Sequence, residues 1–314
     1  MPMTKRVVIT GATGFIGRAL CRALRGDYSL VALSRDATRA AGVVGDCARV
    51  FEWDGRTASI WAGQVDGAYA VIHLAGESVA QGRWTQAKTD SIVKSRTNGA
   101  NAVVDAVAAA RNKPSVVILG SAVGYYGSRG DEILTEDSLP GATFLADVCE
   151  RVESIGAKVE KAGVRYAAIR TGMVLGSQGG ALPRLTAPFR FFLGGRIGNG
   201  RQWLSWIALT DQVRAIRFLL ENPRLTGVFN LTSPHPTTMK QFVRVLGGIL
   251  RRPAWAVMPG FAARLILGRV ADEVLLTSQR AIPKRLVDAG FEFKHPELKT
   301  ALEAIIQGEN HESG

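Results

Sequence analysis

The sequence predicts an α/β protein built on a doubly wound parallel sheet, and three observations lead to this fold class. Short apolar runs rich in β-branched residues recur through residues 7–170, and segments with helical character separate them. This alternation is typical of a parallel sheet with helices on both faces. The first run ends in a glycine-rich turn that leads into a helix. The 314 residues suffice for one large domain or two unequal ones.

The first strand and helix meet at a turn with three glycines. Residues 7–9 form a β-branched run suited to a strand that is covered on both faces. Gly11 permits a tight turn, Gly14 lets a pyrophosphate approach the backbone, and Gly17 lets the helix pack close to the strand. The positive helix end then holds phosphate, so the turn predicts dinucleotide binding, with a plain glycine-rich turn as the alternative. The expected contacts here are Gly11, Thr13, Gly14, Phe15, Ile16 and Gly17.

The second strand, residues 28–33, ends at Ser34 and Arg35. An acid at this strand tip would bind the adenosine ribose hydroxyls of NAD and repel a 2′-phosphate, and a basic residue does the opposite. Asp36 follows Arg35 and comes too late to play that part. The strand end therefore predicts NADP(H), with Ser34 and Arg35 as contacts. The alternative is that Arg35 merely faces solvent.

Two further strands are expected at residues 50–53 and 70–76. The second of these runs into a turn of small residues, where a cofactor can again pass close to the backbone. His73 lies within the apolar run, which favours a core histidine with a satisfied ring over a catalyst. The expected cofactor contacts in the turn are Leu74, Ala75 and Gly76.

The fifth strand, residues 116–120, delivers Ser121 to the edge of the sheet where ligands bind in open α/β folds. We expect Ser121 to orient a substrate carbonyl, with simple capping of the turn as the alternative. A helix is predicted at residues 100–110, ahead of this strand, and another at 144–161. Residues 166–170 form the sixth predicted strand.

After residue 177 the composition of the chain changes: residues 179–200 are rich in Gly, Pro and Phe. We predict an NADP(H)-binding domain at 1–177, to which 206–232 returns, and a smaller, mostly helical substrate-side domain at 178–314. The basic excess is concentrated in this second part. Residues 1–177 carry 21 basic and 17 acidic side chains, whereas residues 178–314 carry 18 and 10.

This charge distribution allows two interpretations: a basic surface, or a pocket for an anionic ligand. Nucleic acid is disfavoured, because the chain has no lysine-rich tail and no recognisable nucleic-acid module. The three cysteines lack metal-ligand spacing, so no metal site is predicted. No apolar run is long enough to span a bilayer and no signal peptide is evident, so no membrane partner and a reducing cytoplasm are expected.

Several motifs together resemble the extended short-chain dehydrogenase/reductase superfamily. Residues 10–17 match its T-G-x-x-G-x-x-G element, and residues 74–76 match its mid-sheet turn. The resemblance narrows to an atypical branch of sugar-nucleotide-epimerase-like proteins with a small C-terminal domain of unknown function. It implies a Rossmann-type sheet, and one departure is Arg269, where members of the branch tend to carry an acid. The segments that carry the narrower resemblance are 82–84, 121–127, 170–176, 200–207 and 290–293.

The resemblance also implies a Ser, a Tyr and a Lys at the catalytic site, with Tyr and Lys four residues apart on a helix. No Y-x-x-x-K occurs in this chain, and the corresponding places fall near Phe144 and Val148. Tyr126 is the nearest substitute proton donor by chain position. Weaker alternatives on the helix that would carry the missing pair are Asp147, Cys149 and Glu150.

Aromatic rings and guanidinium groups cluster in segments 82–84 and 200–207. Such side chains suit a planar or anionic substrate. Trp206 is expected in the core instead, and Arg170 is expected at the cofactor. We therefore predict an NADP(H)-binding oxidoreductase or epimerase for a small anionic or sugar-nucleotide-like molecule, with a homodimer allowed. A non-catalytic NADP(H) sensor is the alternative. The predicted substrate contacts are Arg83, Trp84, Arg201, Gln202 and Trp203.

Overall fold

A computed structural model of the chain describes residues 4–58, 60–80 and 82–308. The strands are β1 (Arg6–Thr10), β2 (Ser29–Ser34), β3 (Arg49–Glu52), β4 (Ala70–His73), β5 (Val116–Ala122), β6 (Ile133–Leu134), β7 (Arg165–Thr171), β8 (Met173–Gly176), β9 (Gly179–Gly180), β10 (Gly195–Ile197), β11 (Trp203–Leu204), β12 (Trp206–Ala208), β13 (Gly227–Leu231), β14 (Thr237–Thr238), β15 (Ala256–Met258) and β16 (Arg280–Ala281). The α-helices are α1 (Phe15–Leu24), α2 (Ala37–Val44), α3 (Gln86–Ala109), α4 (Phe144–Gly156), α5 (Leu182–Arg190), α6 (Leu209–Glu221), α7 (Met239–Leu250), α8 (Gly260–Leu267), α9 (Lys284–Asp288) and α10 (Leu298–Gly308).

Seven parallel strands form the central sheet, in the order β3-β2-β1-β4-β5-β7-β13. The strand order reverses between β1 and β4, so a crevice opens there at the carboxyl ends of the strands. The predicted fold class is confirmed: this is a doubly wound parallel sheet with a helical C-terminal region.

The side chains of each strand alternate between two apolar layers. Val7 and Ile9 pack with α1 and α6 on one face, whereas Val8 packs with α3 and α4 on the other. All three side chains are fully buried, as expected for a strand covered on both faces.

A third apolar cluster lies outside the sheet, where α5, α7 and α10 pack together. Trp206 is fully buried in this cluster, which confirms its predicted place in the core. The chain also returns to the main sheet at β13, which pairs with β7. The division into domains at residue 177 stays a prediction.

The third helix differs from its predicted bounds. We expected a helix at 100–110, but α3 begins at Gln86, where the Thr85 side chain caps it. The second half of α3 buries small apolar side chains against the sheet, and this half is what the sequence pattern indicated. The first half is polar because one of its faces borders the crevice instead of the core.

His73 is buried at the carboxyl end of β4. Its Nδ1 lies 2.7 Å from the Thr10 hydroxyl oxygen, and its ring packs so close to Gly99 that a Cβ atom there would lie 2.7 Å from Cε1. Burial lowers the pKa of His73 to about 4. The prediction of a satisfied core histidine is confirmed.

This burial should make stability depend on pH. Unfolded histidine titrates near pH 6.5, so between about pH 4 and 6.5 the unfolded chain binds one more proton than the folded protein. The free energy of unfolding should therefore fall by about 3 kcal/mol as the pH drops through this window. His73→Gln should remove this component of the slope, as measured by urea unfolding at several pH values. His235→Gln, at an exposed histidine, is the control, and an equal change in both variants would contradict the prediction.

Candidate functional site

A cleft of about 840 Å³ opens at the point where the strand order reverses. The turn after β1, the end of β2, the turn after β4 and the first half of α3 line it. The predicted cofactor residues that line this cleft are Gly11, Thr13, Gly14, Ser34, Arg35, Ala75 and Gly76. The remaining ones in the same two turns, which do not line it, are Phe15, Ile16, Gly17 and Leu74.

The glycine turn is tightly packed. Gly11 has a φ of +71°, and a Cβ atom there would lie 2.8 Å from the backbone of Leu74 and Ala75. A Cβ atom on Gly17 would lie 2.1 Å from the carbonyl oxygen of Gly11. A larger residue at either position would push the two turns, or the strand and helix, apart. Gly14 is the N-cap of α1, and no side chain among the described residues caps this helix end, which leaves its first amides open to a ligand.

The end of the cleft beside β2 carries three arginines and two acids. Arg35, Arg39 and Arg56 line it, and none of them forms an ion pair within the described part of the chain. The two acids beside them are engaged in caps. Asp36 accepts from the Arg39 amide at 2.9 Å at the start of α2, and Asp54 accepts from the Arg56 amide at 2.8 Å. Sequence reasoning missed Arg39 and Arg56 as residues of the cleft. One signal was present: Asp36 stands at an N-cap position, which indicates that its carboxylate accepts from the first turn of a helix.

A buried network lies beneath the carboxyl end of β5. Ser121 donates its hydroxyl proton to Oε1 of Glu153, at 2.6 Å. Arg170 holds the same carboxylate with two hydrogen bonds, from Nε at 2.9 Å and from Nη2 at 2.7 Å. The ring of Tyr125 covers the guanidinium, with 3.3 Å between the ring centroid and Cζ. Glu153, which sequence reasoning missed, is therefore the acceptor that orients Ser121.

Tyr126 belongs to this network as well and has no exposed surface. Its hydroxyl donates to Oδ1 of Asn230 at 2.7 Å and accepts from Nη1 of Arg170 at 3.0 Å. Burial raises the pKa of Tyr126 to about 12. Both Tyr126 and Arg170 use their polar atoms for hydrogen bonds inside the protein. The predicted roles of Tyr126 as proton donor and of Arg170 as cofactor contact stay predictions.

The helix α4 carries neither a Tyr nor a Lys at the places that the resemblance implies. Val148 is buried, and Phe144 lies at the first position of the helix. Of the three weaker alternatives, Asp147 pairs with Arg151 on the exposed face, and Glu150 is also exposed. Cys149 alone faces the sheet, with Sγ 3.7 Å from the carbonyl oxygen of Ala122, and burial raises its thiol pKa. The proton donor of a dehydrogenase is therefore not apparent in this helix.

Trp84 lies beside the start of α4. Its ring meets that of Phe144 edge to face, with 5.3 Å between centroids. On the same helix end, the Glu273 carboxylate accepts from the backbone amides of Phe144 and Leu145, at 3.1 and 3.2 Å. Arg83 is exposed and lies near Gly268, so it borders the same region. The first predicted substrate segment, Arg83 and Trp84, thus lies where α4 of the sheet-forming part meets the C-terminal segment around Gly268.

The second predicted substrate segment lies elsewhere. Gln202 is buried, and its amide nitrogen donates to the carbonyl oxygens of Ile197 and Leu275, at 2.9 and 3.1 Å. The Trp203 indole donates to Asp131 at 2.7 Å. Arg201 is exposed. The first two side chains hold the local backbone in place, and the roles of all three in substrate binding stay predictions.

The described residues contain no group of three or more His, Cys, Asp or Glu side chains that could hold a metal ion. Within residues 4–58, 60–80 and 82–308, no helix combines the length and apolar character needed to cross a membrane.

Comparison with known sequences gives the family of the chain. A model of the NAD dependent epimerase/dehydratase family matches residues 7–232, and a model of a domain of unknown function, DUF1731, matches residues 258–305. The protein belongs to the NAD dependent epimerase/dehydratase family. The resemblance inferred from the motifs is thereby confirmed.

Relatives match over almost the whole chain. The chloroplastic epimerase family protein SDR39U1 homolog of Arabidopsis thaliana is 38% identical over 96% of this chain and 86% of its own length. An epimerase family protein of Mycobacterium leprae is 39% identical over 94% of each chain. The crystal structure of human epimerase family protein SDR39U1 (isoform 2) with NADPH has a TM-score of 0.85 at 29% identity, covering 96% of this chain and 99% of the human chain. The family and this human structure support the predicted nicotinamide dinucleotide cofactor.

The buried ion pair should make a large contribution to stability. Glu153→Gln leaves the Arg170 guanidinium buried without a counter-charge, which should lower the free energy of unfolding by about 3–5 kcal/mol. Urea unfolding measures this loss. Glu150→Gln, on the exposed face of the same helix, is the matched control and should change stability by less than about 0.5 kcal/mol. Equal losses in the two variants would show that the pair does not stabilise the fold.

Proposed function

We propose that this protein binds NADP(H) and acts as an oxidoreductase or epimerase on a small anionic or sugar-nucleotide-like substrate. The observation that carries the cofactor assignment is a set of three arginines that form no ion pair with the described residues, beside acids that are engaged in caps. They lie at the end of the cleft beside β2, which we assign to the adenosine of the cofactor and call the adenosine end. A 2′-phosphate adds negative charge at this end of the cleft, where the three arginines outnumber the two acids. The human relative that was crystallised with NADPH supports the same assignment.

The residues present fit this cofactor along its length. Gly11, Thr13 and Gly14, with the uncapped start of α1, would hold the pyrophosphate. Ser34 and Arg35, joined by Arg39 and Arg56, would hold the 2′-phosphorylated ribose. The turn after β4 would contact the second half of the cofactor through Ala75 and Gly76. When bound, NADP(H) supplies or accepts a hydride at its nicotinamide ring.

Ser121 favours a hydroxyl-bearing substrate in this proposal. A serine hydroxyl has one proton, and Ser121 donates it to Glu153, so the remaining lone pairs of Oγ can only accept. A substrate hydroxyl donates to such an oxygen, whereas a carbonyl oxygen does not. This changes the expected role of Ser121 from orienting a carbonyl to orienting an alcohol. Of the proposed substrate contacts, we favour Arg83 and Trp84, because they lie at the junction between α4 and the C-terminal segment.

A second candidate function is an NADP(H) sensor without turnover. The observation in its favour is the state of the proton-transfer groups: Phe144 and Val148 cannot transfer a proton, and Tyr126 is enclosed in the ion-pair network. In this candidate the cleft and its arginines serve binding alone.

The cofactor assignment predicts the effect of a charge reversal. Arg35→Asp should weaken NADPH binding by about 30-fold or more and change NADH binding little, because only NADPH carries the 2′-phosphate. Fluorescence titration with each nucleotide measures both affinities. Arg22→Asp, at an exposed arginine on α1 that does not line the cleft, is the control. Equal losses of NADPH and NADH affinity in Arg35→Asp would contradict the assignment.

The enzyme and the sensor differ in turnover. We expect the protein to reduce NADP⁺ with some members of a panel of hydroxyacids and sugar nucleotides. The absorbance of the NADPH formed measures this reaction. Ser121→Ala should lower kcat/KM by about 100-fold and leave NADPH affinity unchanged, because it removes the substrate acceptor and its hydrogen bond to Glu153 but no group that lines the cleft. Ser115→Ala, at an exposed serine just before the start of β5, is the control. Silence across the panel together with tight NADPH binding would favour the sensor.

A further inference from the structure

Arg96, on α3, is a half-buried cation that forms no ion pair with the residues that the structure describes. Its side chain lies against the turn after β4: a Cβ atom on Gly76 would lie 3.4 Å from both Cγ and Cζ of Arg96. Its one hydrogen bond to the described residues is a long one, from Nη1 to the Ile92 carbonyl oxygen at 3.4 Å. No carboxylate of the described residues forms an ion pair with it. Most of its N–H donors are therefore left for a ligand or water.

The guanidinium lies near the reacting edge of the sheet. Strands β4 and β5 pair side by side, and a Cβ atom on Gly120 would lie 3.1 Å from the His73 carbonyl oxygen, so the turn after β4 runs next to Ser121. Burial lowers the pKa of His73, at the end of β4, and the charge of Arg96 adds to this effect. Burial raises the pKa of Cys149, on α4, and the charge of Arg96 opposes this effect. Arg96 thus lies between the turn after β4, the end of β5 and α4.

Partial burial of this charge is costly, because it removes water from the guanidinium without providing a counter-ion in direct contact. The cost shows as a pKa of Arg96 below its usual range. The two carboxylates of this part of the site are already held by other cations. Lys88 pairs with Glu77, and Arg170 pairs with Glu153. Glu77 acts on Arg96 only through space, so a carboxylate or phosphate in direct contact with the guanidinium would have to come from a bound molecule.

We propose that Arg96 binds a carboxylate or phosphate group of the substrate and thereby places the substrate hydroxyl at Ser121. This inference rests on the proposed function and names the substrate class: a hydroxyl compound with an anionic group near the reacting carbon. A guanidinium suits this task, because its planar fork can hold two oxygens of such a group at once.

The phosphates of NADP(H) are the other source of anionic oxygens in this site. They are accounted for by the open amides of α1 and by the arginines at the adenosine end. Arg96 does not line that cleft, although Lys94 and Ser95 beside it on α3 do. The arrangement assigns Arg96 to the substrate, and the experiment distinguishes the two sources.

The test measures anion binding to the protein saturated with NADPH, so that the phosphate-binding groups at the adenosine end are occupied. Phosphate and oxalate are titrated in turn by calorimetry. We expect at least one of them to bind below about 50 mM, and Arg96→Gln to weaken that binding by about tenfold or more. The affinity for NADPH itself, measured by fluorescence, should stay within about threefold of the wild-type value. Arg96→Lys should retain part of the anion affinity, because it keeps the charge and loses the fork.

Arg111→Gln is the matched control, since it removes an exposed arginine just beyond the far end of α3 and should change neither affinity. Thermal unfolding of each variant verifies that it is folded. The proposal is overturned if neither anion binds the wild-type complex below about 50 mM, if Arg96→Gln binds anions as the wild type does, or if it loses NADPH affinity tenfold and so belongs to the cofactor. Failure of the wild-type protein to bind NADPH at all would instead refute the proposed function.

Discussion

The buried ion pair between Arg170 and Glu153 is the interaction on which the candidate site depends. It joins β7 to α4, and through Ser121 it also fixes the end of β5. The Tyr126 hydroxyl extends the network to Asn230 on β13, so three adjacent strands of the sheet share it. Removing water from two charges costs several kcal/mol per ion, and the bidentate geometry and further hydrogen bonds offset this cost. The orientation of the Ser121 hydroxyl is therefore set by side chains that are themselves buried.

The large positive charge of the chain has a partly internal explanation. Arg165 donates to the carbonyl oxygens of Leu225 and Leu219, at 2.6 and 2.9 Å, near the end of α6. Arg285 does the same for Val228, at 2.8 Å, where α9 meets β13. Such guanidinium groups complete backbone hydrogen bonds where segments join, so they add to the net charge without forming a surface for a polyanion. Composition alone cannot separate this use of arginine from ligand binding.

The parts of the fold that the sequence predicts well are those that short-range rules determine. The spacing of Gly11 and Gly17 reflects a turn and a helix contact within a few residues, and the apolar run around His73 fixes its burial. Glu153 and Arg96 escaped prediction because their importance depends on which helix lies over which strand end.

Arg170 shows the limit of such rules in another way. Its position at the end of a strand correctly indicates the carboxyl edge of the sheet, where a ligand is expected. The direction of its guanidinium is set instead by Glu153, a residue 17 positions away on a helix. A sequence pattern shows which edge a residue occupies, and only the packed structure shows whether it turns inward.

The contact of Glu273 with the start of α4 bears on how this protein is divided. Sequence models treat residues 258–305 as a domain of their own, yet the Glu273 carboxylate accepts from the first two amides of a helix in the sheet-forming part. Helix starts need such acceptors, and an acid there also opposes the helix dipole. The C-terminal segment thus supplies an end cap that α4 does not obtain from its own sequence alone. A fragment that stops before it would lack more than an appended module, since the helix beside Ser121 would lose part of its own beginning.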